Sequence, residues 1–410
     1  MSDKTAERRP LDLILFIVSL GGFLLILVTS GMIVIENLLS GPSGVDTGLN
    51  YSITTALSIT FVGICALPTC IMSARALIGQ SPFPPRPGSS IWLVSIVLLP
   101  LTLILGHLAF TRGLFSDLIG PPAHILTALV PALIAIVLIR RHGPTYSPRR
   151  TWGQFLVGLW AIPITSLILE ILTLIPTMIA IAVLLMSTAG GRQLIGILTN
   201  PDHWLESQIY ETLFQILRQP GVLMVILGYV VIIVPLIEEA AKTMAVWPFL
   251  RRGLRPASAF IGGAIGGAAY GLFEALFLTQ PGPSWTTNMI ARIGATVMHS
   301  FTAGLSSWGL AQVVGNREWK RFGRAYLGAV LMHALWNAIA LGISFNSIAV
   351  EYQYINLTPS MLAMINLSGV ILLTLLSSLA LIGLIRMPRR LMREQIDSMV
   401  EVVQQSSREP

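Results

Sequence analysis

The chain has 410 residues, 54% of them hydrophobic and only 11% charged, against roughly 25% charged in a soluble domain. A mean hydropathy of +0.75 makes lipid the solvent for most of its surface. The net charge of +7 does not point to nucleic acid, because the basic residues punctuate apolar runs instead of clustering on one soluble face.

Residues 1–10 are polar and basic, and the apolar run that follows over 13–35 is longer than the roughly 7 to 15 residues of a signal-peptide core. It reads as an uncleaved first span. Further runs long enough to cross a bilayer lie over 52–74, 91–111, 122–139, 154–187, 221–250, 257–278, 287–314, 325–345 and 362–385. The expected fold is therefore an all-α polytopic membrane protein, a helical bundle of about ten transmembrane helices. The fifth run holds Pro163, Glu170 and Pro176 and predicts a kinked helix. Cys65 and Cys70 both fall in an apolar run, so neither a disulfide framework nor a Cys-rich zinc site is available.

The positive-inside rule checks the topology independently, since cytoplasmic loops collect Lys and Arg. Of the 26 basic residues, one alternating set of loops holds 21 and the other set only Arg112, Arg192, Arg218 and Arg292, with Lys242 inside a span. A cell-membrane protein with both termini cytoplasmic is expected. In the external segment before 221, Trp204, Leu205, Ile209, Leu213, Ile216 and Leu217 recur at helical spacing among charged residues, as in a helix lying in the outer interface. A water-exposed extension of the sixth span fits the pattern equally. The chain divides into an N-terminal region over 1–220, a core over 221–345, and a last span with its tail over 346–410.

The core concentrates the chemistry. Glu238 and Glu239 adjoin, with Lys242 one turn on. One carboxylate can pair with the ammonium along the helix, leaving its neighbour to act. Each such group costs about 2.5 to 3.5 kcal/mol to place in a membrane. A buried Glu–Lys pair that sets helix register is the structural alternative. Next come Gly262, Gly263, Gly266, Gly267 and Gly271, a surface for close helix packing. Packing does not explain Glu274, one turn after Tyr270. His299 is followed by Ala303 and Gly304, and His333 shares a helix face with Asn337. Any one of these is more often a satisfied core group than a catalyst. Four successive spans carrying them shift the balance toward a site.

In order, Glu238-Glu239-x-x-Lys242, Tyr270-x-x-x-Glu274, His299 with Gly304, and His333-x-x-x-Asn337 resemble the motifs of the PrsW intramembrane proteases, a family grouped with the CAAX prenyl proteases and the Abi proteins. The resemblance covers about residues 230–345. Tyr270 stands where the family usually has Phe, Asn337 where an acid is common, and Gly304 one residue later than usual. The resemblance implies hydrolysis of a peptide bond in a membrane-anchored protein, for instance an anti-sigma factor. Glu239, with Glu238 as partner, would take a proton from water. Glu274 and His299 would position that water or protonate the leaving amine, and His333 with Asn337 would stabilise the oxyanion. No cofactor is expected in the absence of a His-Glu-x-x-His motif, although His299, His333 and a glutamate would make the His₂Glu set of a hydrolytic zinc. Counting about 1.5 Å per residue from the loop charges puts Glu238 roughly 20 Å deep, Glu274 and His299 about 27 Å, and His333 about 14 Å. Co-location of the four is implied by the resemblance and not by this count. A solute or proton transporter with a Glu/His relay is the alternative function.

Overall fold

The computed structural model describes residues 9–39, 47–80, 91–141, 143, 147–199, 212, 215–250, 254–351 and 357–406. Among them every regular element is a helix. In chain order these are α1 (Arg9–Leu39), α2 (Thr47–Ile64), α3 (Leu67–Leu77), α4 (Ile91–Arg112) and α5 (Ser116–Arg141). Then follow α6 (Pro148–Met186), α7 (Ala189–Thr199), α8 (Pro220–Leu250), α9 (Pro256–Phe277), α10 (Trp285–Asn316), α11 (Trp319–Glu351) and α12 (Pro359–Ser406). Most of the expected interfacial helix before residue 218 lies outside the described residues.

Among the described residues nine helical segments are long and apolar enough to cross a membrane, so the protein is a multi-pass membrane protein. The sequence reading had one more, over 287–314. That segment is α10, which at 32 residues is long enough. It carries buried Thr296, Ser300, Thr302, Ser306 and Ser307, so its polar side is covered by protein and its average hydropathy falls. Large apolar side chains stay exposed along α1 and α6, among them Leu25, Val28, Met32, Leu172, Ile175 and Ile179, as lipid-facing surface requires.

The chain forms two compact units. The larger comprises residues 1–163, 242–329 and 373–410. Its centre is α9, whose residues Ala257 to Leu272 are all buried. The glycines make that possible. A Cβ on Gly263 or Gly267 would strike the backbone carbonyls of Ala303 and His299, and one on Gly271 would meet Thr296, so this face lies directly on α10. A Cβ on Gly266 would press on Ala245, while Gly158 of α6 abuts the Gly266 backbone. The Ser300 hydroxyl donates to the Ala264 carbonyl at 2.8 Å. The α9–α10 connection is pinned by buried His124, which accepts from the Trp285 indole at 3.0 Å and meets the Leu276 carbonyl at 3.1 Å. At one end of this unit Asp12 pairs with Arg149, the Arg150 guanidinium lies 4.4 Å from the Phe249 ring centre, and Gly143 abuts Ile261. Described residues flanking three of the basic loops therefore share that end.

The smaller unit comprises residues 164–241 and 330–372. Its apolar core is modest, formed by Ile181, Leu185, Leu194, Ile216 and Val222. The Tyr229 hydroxyl donates to the Glu170 carbonyl at 2.6 Å, tying α8 to α6.

Candidate active site

Pro235 decides the local geometry of α8. Proline has no N–H and cannot accept the regular helical register four residues back. The helix answers with a π turn over Tyr229–Ile233, in which the Val234 N–H bonds the Tyr229 carbonyl. The Val230 carbonyl then has its α-register donor diverted and a proline at its π-register position. Asn337 of α11 fills that vacancy, donating its side-chain amide to the Val230 carbonyl at 3.0 Å. The same device recurs in α6, where a π turn over Val157–Ala161 precedes Pro163.

Two turns beyond the π turn, α8 carries buried Glu238 and Glu239. Glu239 Oε1 lies 3.0 Å from Nδ1 of buried His333 on α11, and Glu238 Oε2 lies 3.9 Å from Nε2 of the same ring. A carboxylate only accepts, so Nδ1 carries the proton toward Glu239 and Nε2 presents its lone pair on the Glu238 side.

In the larger unit α9 and α10 build a second imidazole–carboxylate pair. His299 Nε2 lies 2.8 Å from Glu274 Oε2, and the Lys242 ammonium lies 2.8 Å from His299 Nδ1. An ammonium only donates, so Nδ1 is the acceptor and Nε2–H donates to Glu274. Arg292 also reaches Glu274 Oε2, at 3.1 Å. The Tyr270 ring stands edge-on to His299 with centroids 5.3 Å apart, and the Lys242 ammonium lies 4.8 Å from the Tyr270 ring centre.

Each expected site residue thus has a defined neighbour within its own unit. Glu238, Glu239 and His333 are brought together, and so are Glu274 and His299. Three contacts were not among those expected. Lys242 reaches His299. Asn337 holds the Val230 carbonyl. Arg292 was counted only as a loop charge, and no spacing rule links it to Glu274, 18 residues earlier.

The PrsW family intramembrane metalloprotease model matches residues 181–367, a stretch that contains Glu238, Glu239, Glu274, His299, His333 and Asn337. Residues 181–367, a little under half of the chain, resemble a PrsW protease domain. No curated protein and no solved structure matches it. The PrsW assignment makes the protein an intramembrane protease acting on membrane-embedded substrate, and it names a metal chemistry for the family. The donor types in this PrsW domain suit such a metal. Each of two buried histidines has one ring nitrogen engaged by a carboxylate, the arrangement that orients metal-binding imidazoles.

Proposed function

We propose that the PrsW domain hydrolyses a peptide bond of a membrane-anchored protein using water activated by its adjoining glutamates. The observation that supports this most is the pair of imidazole–carboxylate contacts, His333 with Glu239 and His299 with Glu274. Two intramembrane histidines held in defined tautomers exceed what helix packing requires.

The donors we assign to a zinc ion in the smaller unit are His333 Nε2 and Glu238. Bound there, zinc would polarise the attacking water and the scissile carbonyl. Glu239 and Glu274 hold the two rings. Glu239 takes one proton from the water, the hydroxide adds to the carbonyl carbon, and the same proton passes to the leaving amine as the C–N bond breaks. Asn337, through the Val230 carbonyl, keeps α11 in register with α8. By family resemblance the substrate is an anti-sigma factor. The clustering of basic loops favours a cell-membrane protein with cytoplasmic termini.

The test uses the purified full-length protein with a tagged single-span candidate substrate, comparing wild type with Glu239→Gln and His299→Ala, and with metal content measured by elemental analysis. Cleavage lost in both variants, with about one zinc per wild-type chain, is expected. Cleavage unchanged in both variants overturns the assignment.

A further inference from the structure

The smaller unit has an open apolar groove of about 490 Å³ between α8 and α11. Leu227, Gly228 and Val231 line one wall and Ala338, Leu341 and Gly342 the other. The groove continues the helix faces that carry the candidate catalytic groups. Along α11, His333, Asn337 and Leu341 recur every four residues and so share one face. Opposite them on α8 stand Glu239, then the Val230 carbonyl, then the groove wall. The inner end of the groove is therefore the Asn337–Val230 hydrogen bond, one helical turn from His333.

Two glycines there face open space among the described residues. A Cβ added to Gly228 or Gly342 would meet nothing within 4 Å, whereas Gly263, Gly267 and Gly271 of α9 each face a neighbouring helix at close quarters. Glycine inside a helix is destabilising by roughly 0.5 to 1 kcal/mol relative to alanine. Ala338 and Gly342 stand four apart, with Gly228 across from them, the spacing that lets a further helix backbone approach closely. A lipid acyl chain needs no such clearance on both walls.

We propose that this groove docks an apolar membrane-spanning helix of the protein substrate and directs its end toward His333 and Glu239. The proposal rests on the reading of those residues as catalytic, and it adds a binding site of named residues to it. The occupant is a peptide helix because the groove is apolar, is cleared of side chains at its glycines, and continues the helix faces that carry the proposed catalytic groups.

The test uses the full-length protein in phosphatidylcholine liposomes. The probe is a synthetic peptide of about twenty alternating leucines and alanines with lysine ends and a central benzophenone. Photolabelling mapped by mass spectrometry is expected on the 223–232 and 338–345 segments. It should fall about tenfold or more in Gly228→Leu/Gly342→Leu, with thermal stability unchanged because both positions open on free space. Gly228→Ala/Gly342→Ala, a smaller filling, should give an intermediate loss and serves if the leucine variant fails to fold. Labelling elsewhere, labelling indifferent to both fillings, or a photoactivatable phosphatidylcholine that labels the groove without competition from the peptide would overturn the proposal. Glu239→Gln should retain peptide labelling. Groove labelling with no catalytic dependence on Glu239 and His299 sinks the protease roles alone, and cleavage without groove labelling sinks the groove alone.

Discussion

The Lys242 ammonium donates to His299 Nδ1 at 2.8 Å, deep in the protein, where neither side chain is more than 2% exposed. That contact assigns the tautomer of His299 and hence the direction of the proton shared with Glu274. A cation buried this completely is tolerated because the imidazole and the Tyr270 ring face replace its water.

Lys242→Met should therefore destabilise the protein as well as inactivate it. Breaking a buried polar network by removing one partner leaves the other groups uncompensated, at a cost of about 3 kcal/mol. Thermal unfolding in detergent should show a clear drop, and a melting temperature equal to wild type would contradict the network.

Arg292 reaches Glu274, which holds His299. Arg292→Ala should lower cleavage by about 10 to 100-fold, the usual effect of losing a partner that orients a functional group, while Arg292→Lys should restore part of it. Turnover of the tagged substrate reads this directly. Equal turnover in all three proteins would reduce Arg292 to a surface ion pair.

The π turn makes a separate prediction. Pro235→Ala supplies an N–H that allows α8 to return to the α register, turning Glu238 and Glu239 relative to His333. Cleavage should fall sharply with little loss of helicity by circular dichroism. Asn337→Leu leaves the Val230 carbonyl without its side-chain donor and should cost about 1 to 3 kcal/mol. Wild-type activity in Pro235→Ala would show that the turn does not set the site.

Two glycine substitutions should behave oppositely. Gly267→Ala places a methyl against the His299 carbonyl and Ala303, so overpacking of about 1 to 3 kcal/mol is expected, with loss of activity because α10 must shift. Gly228→Ala opens on free space and should leave the melting temperature unchanged or raise it. Equal effects from the two would mean that α9 does not rest on α10 as described.

Membrane class, the approximate set of spans and the residues worth testing were all legible in the chain itself. Hydropathy and charge placement are local quantities, and a bilayer converts them directly into helices and loops. The helix 285–316 marks the limit of that logic, because protein instead of lipid covers its polar side and its hydropathy no longer reports a crossing. The motifs identified Glu238, Glu239, Glu274, His299, His333 and Asn337, but not what each one touches. Lys242 meeting His299, Arg292 meeting Glu274 and Asn337 filling the vacancy above Pro235 depend on which faces of separate helices come together. Those faces are selected by glycine clearances and by the rotation of a π turn, and neither can be counted along the chain.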